Sequence, residues 1–306
     1  MNMREERLVA VAPPPSAKRS DPAPRPGRLR HSEFKWGLAF VAPYAAVIFA
    51  FAAHPLGRAL WIASEPSLYP ELVADPLYLP TLVNTLIFVG LGVNVEMFAA
   101  LLLSGFFLRR RLWIKVLLVV YILPWLIATA QVGISFHWML IGELGLVDGL
   151  LAALFGIDGP IWLNDRWLAV GANTVAYVWK WMPFWTVIFI AARMTIPRDI
   201  YDSARVDGAT GVRSFVHVTF PLMANLYLVC TLFSTLWALG DFTIVYLVSA
   251  GAPTGYSHVV ATLGFRYAFD TGRPALGVAA VMSVLPVLIP IVIVLLRRLQ
   301  ISEVQL

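Results

Sequence analysis

Six long apolar segments constrain the fold of this chain more than any other feature. A bilayer core of roughly 30 Å is crossed by about 20 helical residues, and six stretches meet or approach that length. They run over residues 36–62, 79–108, 112–138, 167–192, 222–249 and 275–296. Lipid offers no hydrogen-bond partner to an exposed backbone, so such segments cross it as α-helices. The sequence therefore predicts an all-α membrane protein with six transmembrane helices.

Composition supports a membrane protein. Hydrophobic residues make up 59% of the 306 residues and charged residues only 13%, whereas a soluble domain carries about 25% charged residues. A soluble fold of this length would need a charged surface that so few residues cannot supply. The single cysteine, Cys230, excludes an intrachain disulfide and a multi-cysteine metal site. The five histidines lack metal-ligand spacing, so we expect no metal site in this chain.

The distribution of basic residues predicts the topology. The formal net charge is +5, and most of the 23 Lys and Arg residues lie in the N-terminal tail, at 109–115, between 193 and 213, and at 297–298. The positive-inside rule assigns these positions to the cytoplasmic side. We therefore expect both termini, and the polar loop between the fourth and fifth helices, in the cytoplasm. Because the charge follows membrane topology, we expect no nucleic-acid partner.

The N-terminus differs from the rest of the chain. Residues 1–33 contain the Pro-rich run "APPPSAKRSDPAPRPGRLR", which has no apolar period and predicts a disordered cytoplasmic tail. Residues 34–306 then form the membrane domain. A cleaved signal peptide is the alternative for the first apolar run, but the 35 residues before it are too many for an ordinary n-region.

One polar loop, at about 194–222, is patterned more regularly than the others. In "IPRDIYDSARVDGATGVRSFVHVTFPLM", Pro197 fits the first turn of a short helix at about 198–206, and Gly208 fits its end. Thr210 is a candidate cap for a second short helix, and Pro221 marks the return to the membrane. One face of that helix would carry Val212, Phe215, Val216 and Thr219. Such an exposed apolar face needs a partner, either a protein or the bilayer interface.

This loop resembles the EAA loop of the transmembrane permease subunits of binding-protein-dependent ABC importers. The acidic triplet of that pattern corresponds to Asp202, Ser203 and Ala204, and its glycine to Gly208. Asp for Glu and Ser for Ala depart slightly from the pattern. The segments "VWKWMPFW", "GDFTIVYLVSAGAPTGYSHVVATLGFRYAF" and "GRPALGVAAVMSVL" are similar to the carbohydrate branch of these permeases. The resemblance covers about residues 36–298.

The resemblance implies a set of partners. The loop would be a coupling helix that fits a cleft on a cytoplasmic ATPase dimer, with a second permease subunit, an extracytoplasmic solute-binding protein and membrane lipid as the other partners. ATP and Mg would be bound by the ATPase, and this chain would bind no cofactor. The residues implied in ATPase coupling are Asp202, Ser203, Ala204, Asp207, Gly208, Phe215 and Pro221.

Polar residues inside the apolar spans are candidates for substrate contact, because such groups are costly in lipid. The predicted spans contain Asn94, Glu96, Gln131, His137, Lys180 and Asp241. We expect Glu96 and Gln131 to satisfy neighbouring helices and His137 to be structural. Lys180 and Asp241 either line a translocation cavity or pair with each other for structure alone. A further interpretation gives Lys180 an anionic group of a sugar.

The resemblance places substrate contacts on the helices before and after the polar loop. The positions implied are Tyr177, Lys180, Trp181, Phe184, Ser234, Ala238 and Asp241. Trp181 or Phe184 would stack on a sugar ring, and the charged groups would bind hydroxyls.

The function expected from the sequence is therefore that of a transport subunit. It would be a multi-pass permease of the bacterial cytoplasmic (inner) membrane, part of an importer for a sugar or sugar derivative that works by alternating access. The chain has no phosphate-binding Gly-rich loop followed by Lys-Ser or Lys-Thr, so it is not the ATPase and we expect no catalytic residue. The alternatives are import of a polyamine or glycerol phosphodiester on the same architecture, or a six-helix secondary transporter. The latter often shows an inverted repeat, which we do not find.

Overall fold

The computed structural model describes residues 31–142 and 145–303, and every regular element in this part of the chain is helical. The predicted tail, 1–33, lies outside the described residues except for its last three, which begin the first helix. The described residues fall into two units, which divide between Leu56 and Gly57. The first contains α1 (His31–Ile48) and a π-helical segment (Phe49–Ala53), and α2 (His54–Ala63) follows.

The second unit holds the remaining helices. Its first half consists of α3 (Leu68–Ala74), α4 (Tyr78–Phe107), α5 (Leu112–Leu126), α6 (Thr129–Met139), α7 (Leu146–Phe155) and α8 (Arg166–Thr195). Its second half consists of α9 (Arg198–Val206), α10 (Val212–Ser214), a π-helical turn (Phe215–Thr219), α11 (Phe220–Leu239), α12 (Thr243–Val248), α13 (Val260–Phe265), α14 (Pro274–Met282) and α15 (Leu285–Glu303). A third π-helical segment, Arg266–Asp270, follows α13.

Five helical stretches within the described residues are long and apolar enough to cross a membrane. They are Trp36–Ala63, Tyr78–Phe107, Arg166–Thr195, Val212–Leu239 and Pro274–Val294. The first, second, fourth and sixth predicted spans are therefore confirmed to within a few residues. A sixth crossing is present only if α5 and α6, which are bent by 97° at a short break, form one span.

The break between α5 and α6 divides the third predicted span, since the sequence predicted one helix over 112–138. Ile127 and Ala128 have ψ values of 142° and 137°, which are extended rather than helical. Pro124 lies in the last turn of α5, but its missing N–H and its ring act on the carbonyl four residues earlier, so the proline does not account for a break that follows it. The break leaves backbone carbonyls open inside an apolar region, and these need a donor from elsewhere.

The fifth predicted span, 222–249, has the wrong limits. The helix begins earlier, at Val212, and runs through the π-helical turn into α11 without a stop at Pro221. A proline lacks the N–H that a regular turn requires, and the wider turn directly before it lets the helix continue. The helix then ends at Leu239, and α12 starts only after Gly240, Asp241 and Phe242.

The core of the second unit lies between α4 and α8. Its largest fully buried side chains include Phe88, Met97, Leu101, Tyr177 and Phe189. Small residues permit close helix crossings: a Cβ on Gly92 would lie 3.2 Å from Thr174, and one on Gly133 would lie 2.7 Å from the Leu247 Cβ. In lipid, such small residues let helices approach and pack. This packing fixes α4, α6, α8 and α12 relative to one another.

The connection between α12 and α13 is also tightly packed. Asn84 of α4 donates through Nδ2 to the carbonyls of Tyr256 (2.7 Å) and His258 (2.8 Å), and its Oδ1 accepts from Arg166 Nε at 3.1 Å. The His258 ring is buried, its Nδ1 lies 3.0 Å from Thr262 Oγ1, and burial lowers its pKa to about 4. This loop is therefore part of the helix bundle rather than a loose linker.

Candidate translocation and coupling site

Lys180 closes the break between α5 and α6. Its side chain is buried, and Nζ donates to the carbonyls of Pro124 (3.3 Å), Trp125 (2.7 Å) and Ile127 (2.5 Å). The ammonium also lies 5.2 Å from the centre of the Trp181 ring. These carbonyls are the ones that the bent backbone leaves open, so the lysine replaces the donors that a continuous helix would have supplied.

Asp241 does not bond to Lys180, the partner that the sequence suggested for it. Its Oδ1 accepts from the Ile244 N–H at 2.9 Å, which caps the start of α12. The structural alternative, an ion pair between Lys180 and Asp241, is therefore wrong: among the described residues each of these side chains bonds to backbone instead. Both charged side chains therefore stabilise places where a helix is interrupted.

Aromatic rings surround the two predicted stacking residues. Trp237 of α11 lies 5.5 Å from Trp181 and 5.6 Å from Phe184, measured between ring centres. Trp125 of α5 lies 5.4 Å from Phe184, again between ring centres. We call Trp125, Trp181, Phe184, Trp185 and Trp237 the aromatic cluster. Trp237 was missed from the sequence, although its place next to Ala238 was a usable signal.

Three other predicted pathway residues are almost fully buried. Tyr177, Ser234 and Ala238 are each at most 1% exposed. Ser234 donates to Glu96 Oε2 at 2.7 Å, and Tyr177 packs edge-on against Phe88 of α4. Lys180 is buried as well, so a substrate reaches these groups only if the helices separate.

The remaining intramembrane polar residues have local roles or face outward. Glu96 satisfies a neighbouring helix through Ser234, as predicted. His137 Nδ1 lies 2.8 Å from the carbonyl of Val248 in α12, which fits its predicted structural role. Asn94 donates to the Gly90 carbonyl of its own helix, and Gln131 is exposed. The expectation that Gln131 satisfies a neighbouring helix therefore finds no support in its position.

The polar segment, residues 196–219, begins with a well-terminated helix. α9 spans Arg198–Val206, close to the predicted limits, and Pro197 precedes it instead of forming its first turn. Gly208 has φ +78°, with its N–H on Arg205 O at 3.0 Å and the Ala209 N–H on Ala204 O at 2.8 Å. This is the Schellman arrangement, which requires a left-handed residue that glycine supplies without strain.

The rest of the polar segment differs from the prediction. The residue before α10 is Gly211, with φ +55° and no side-chain cap, so Thr210 does not cap a helix. The single apolar face predicted for this second helix is also not formed, because the π-helical turn rotates successive side chains to different sides. Val212 and Val216 are exposed, while Phe215 is half-buried and Thr219 is buried.

The implied coupling residues lie along this segment. Asp202 pairs with Arg205 at 2.9 Å on the exposed side of α9, and Ala204 is buried. Tyr201 joins α9 to the π-helical turn through a 3.2 Å hydrogen bond between its hydroxyl and Thr219 Oγ1. Exposed apolar side chains, Ile200, Val206 and Val212, form the outer surface.

Residues 97–300 match the family described as "Binding-protein-dependent transport system inner membrane component". The chain belongs to this family. It is therefore a multi-pass inner-membrane transport component that works with a binding protein, and not an enzyme. The match includes the bent α5–α6 pair, the polar segment and the whole aromatic cluster.

Several curated relatives are similar over much of the chain. The trehalose/maltose transport system permease protein MalF of Thermococcus litoralis is 27% identical over 82% of this chain and 89% of its own length. The trehalose transport system permease protein SugA of Mycobacterium tuberculosis is 26% identical over 82% and 84%. The sulfoquinovosyl glycerol transport system permease protein SmoG of Agrobacterium fabrum is 31% identical, over 60% of each chain.

A solved structure has the same fold. It is described as a bacterial ABC transporter involved in the import of the acidic polysaccharide alginate, and the matched chain superposes with a TM-score of 0.73 at 21% identity. The match covers 88% of this permease and 96% of that chain. It confirms the all-helical permease architecture.

Proposed function

We propose that this permease is one of two membrane subunits of an ATP-driven importer for a sugar or sugar derivative. The observation that carries the proposal is its similarity, over most of both chains, to permeases of trehalose/maltose and trehalose transport systems. The other subunit, a cytoplasmic ATPase dimer that binds ATP and Mg, and an extracytoplasmic solute-binding protein complete the transporter. Both termini of this chain, and its polar segment, face the cytoplasm, as the basic residues predict.

The polar segment is the coupling element in this proposal. α9 ends in a fixed Schellman turn, and Tyr201 ties it to the π-helical turn at the base of α11. Ile200, Val206 and Val212 offer an apolar surface to the ATPase. A lever that is rigid in itself converts closure of the ATPase dimer into rocking of the membrane helices. Its contact points are those predicted: Asp202, Ser203, Ala204, Asp207, Gly208, Phe215 and Pro221.

The substrate pathway opens, in this proposal, between α8 and α11. The aromatic cluster supplies flat apolar faces of the kind that stack on sugar rings, and Tyr177, Ser234, Ala238 and Asp241 line the route once the helices separate. Lys180 would receive an anionic substituent only by releasing at least one of its three carbonyl partners. The structure therefore favours a structural task for its ammonium over direct anion binding.

Reconstitution tests the proposal. The permease, its second subunit, the ATPase dimer and the binding protein are placed in proteoliposomes, and uptake of radiolabelled sugars is measured with and without ATP. Calorimetry of the binding protein against neutral sugars, anionic sugars, polyamines and glycerol phosphodiesters identifies the substrate. ATP-dependent uptake of a sugar supports the proposal. Uptake that needs no ATPase, or tight binding only of a polyamine or a phosphodiester, contradicts it.

A further inference from the structure

Arg193 joins three separate elements at the end of α8. It lies two residues before the last residue of that helix, and Nη2 donates to the Leu101 carbonyl of α4 at 2.8 Å. The same guanidinium lies 5.6 Å from the centre of the Phe215 ring, in the π-helical turn of the polar segment. One side chain thus contacts α8, α4 and the proposed coupling element.

The surface of α4 is shaped for this contact. Gly105 lies directly beneath the guanidinium, and a Cβ there would be 2.8 Å from Arg193 Nη1. The Leu101 carbonyl also accepts from Ser104 Oγ at 2.6 Å, so the arginine adds a further donor to an oxygen that is already bonded. Glycine permits the planar group to lie against the helix, which a larger residue would prevent.

Stability alone does not explain an arginine here. Arg193 Nε is buried and finds no hydrogen-bond partner among the described residues. A buried donor without a partner costs about 1–3 kcal/mol, whereas an aliphatic side chain would fill the same space without that cost. The guanidinium does what an aliphatic side chain cannot: it bonds to backbone on one side and attracts an aromatic face on the other.

The contacts of Arg193 form a continuous path from the coupling element to the pathway. Tyr201 links α9 to Thr219, and Phe215 of the same turn lies against Arg193. Arg193 bonds to α4 at Leu101, about one turn beyond Glu96, whose carboxylate is bonded to Ser234 in the proposed pathway. Helices and hydrogen bonds of this kind carry displacement as rigid units.

We propose that Arg193 is a positioning residue that connects the polar segment to α4, so that movement of α9 shifts α4 and the helices packed on it. The proposal rests on the proposed function, since it requires an ATPase that moves α9. Without this connection the ATPase still docks and hydrolyses ATP, but its movement no longer reaches the pathway. The loss is one of coupling rather than of assembly.

The test uses the reconstituted transporter and measures two quantities: sugar transported per ATP hydrolysed, and stimulation of ATP hydrolysis by the loaded binding protein. Arg193→Leu removes the donor and keeps the apolar volume, so we expect both to fall by about tenfold, as for one lost charge-assisted hydrogen bond. Arg193→Lys keeps one donor and should recover part of each. Phe215→Leu removes the ring that faces the Arg193 guanidinium and should act in the same direction.

Matched variants separate coupling from packing and charge. Arg110→Leu removes an exposed arginine and should leave both quantities unchanged. Gly105→Ala keeps Arg193 but displaces its guanidinium from α4, and should reduce coupling even if Arg193→Leu fails to fold. Normal sugar transport per ATP in Arg193→Leu and Gly105→Ala would overturn the proposal, as would a loss of thermal stability with normal coupling in the remaining protein. If the wild-type transporter shows no ATP-dependent uptake, the proposed function itself fails instead.

Discussion

At the scale of single residues, two buried or half-buried charged side chains of this permease form hydrogen bonds to backbone groups where helices are interrupted. Lys180 bonds to three carbonyls at the α5–α6 break, and Asp241 caps α12 just after α11 ends. Both residues were recognised from the sequence as costly in lipid, and that reasoning was sound. What the sequence did not contain was the identity of their partners, because backbone carbonyls carry no side-chain signal.

Replacement of Lys180 by methionine should destabilise the permease. The change leaves up to three carbonyls without their donor in a buried region, and each unsatisfied group costs about 1–3 kcal/mol. We expect a clear fall in the thermal unfolding temperature of the detergent-purified protein, with Lys180→Arg close to wild type. Lys115→Met, at an exposed position, is the control. Equal unfolding temperatures for both methionine variants would contradict this role for Lys180.

His258 should make stability depend on pH. Burial is the largest cause that lowers its pKa to about 4 from an ordinary 6.5, with Arg266 acting in the same direction and Asp270 opposing. Between these values the unfolded chain holds more protons on this ring than the folded protein. As far as this ring is concerned, the free energy of unfolding is therefore highest above pH 6.5. It decreases as the pH falls towards 4, by up to about 3 kcal/mol.

Thermal unfolding from pH 4.5 to 7.5 measures this effect. His258→Asn removes the titrating ring while retaining a polar group near Thr262, so its unfolding temperature should fall less steeply below pH 6.5 than that of the wild type. Other groups titrate equally in both proteins, and the difference between the two curves isolates His258. Parallel curves would show that the ring does not contribute.

At the scale of elements, the end of a helix at a glycine could be predicted from neighbouring residues. A helix break that is stabilised by a distant residue could not. The end of α9 at Gly208 follows from the sequence, because a helix that stops in a left-handed residue favours glycine. The limits of the third and fifth transmembrane spans, in contrast, could not be predicted from the sequence. Apolar composition is the same in a straight helix and in a broken one, and the break is stabilised by Lys180, more than fifty residues away. Periodicity within one window does not contain that information.

Gly208→Val should uncouple transport without removing the permease from the membrane. Gly208 has φ +78°, and a side chain there has open space but a strained backbone, at a cost of roughly 1–2 kcal/mol. Relief of that strain rearranges the turn that positions α9. We expect ATP-dependent uptake to be lost while the amount of membrane-inserted protein stays near that of the wild type.

Gly272→Val is the matched control for this change. Gly272 has φ +67° and likewise no atom within 4 Å of an added Cβ, but it lies outside the polar segment, before α14. The same strain should therefore leave uptake nearly intact. Equal loss of uptake in both variants would mean that strain in general, rather than the position of α9, is responsible.

At the scale of the whole molecule, the helices that carry the predicted pathway are closed against each other. Tyr177, Lys180, Ser234 and Ala238 are buried between α8 and its neighbours, while Trp237 remains 43% exposed. The sequence and the family resemblance named these positions, but not the aromatic cluster that links them, since rings from α5, α8 and α11 meet only in the folded bundle. In the proposed function these helices part during alternating access, and the partly exposed Trp237 is then the ring of the cluster that we expect a substrate to meet first.

Trp237→Leu tests the contribution of that cluster to transport by the complete importer. Loss of the indole removes the ring that bridges Trp181 and Phe184, and with it a stacking face worth about 1 kcal/mol. The KM for sugar uptake in proteoliposomes should rise by roughly fivefold to tenfold, while hydrolysis of ATP without substrate stays unchanged. Trp179→Leu is the control, because Trp179 is similarly exposed, at 40%, but packs on Phe136 outside the cluster. If both variants shift KM alike, or neither does, the aromatic cluster is not part of the substrate route.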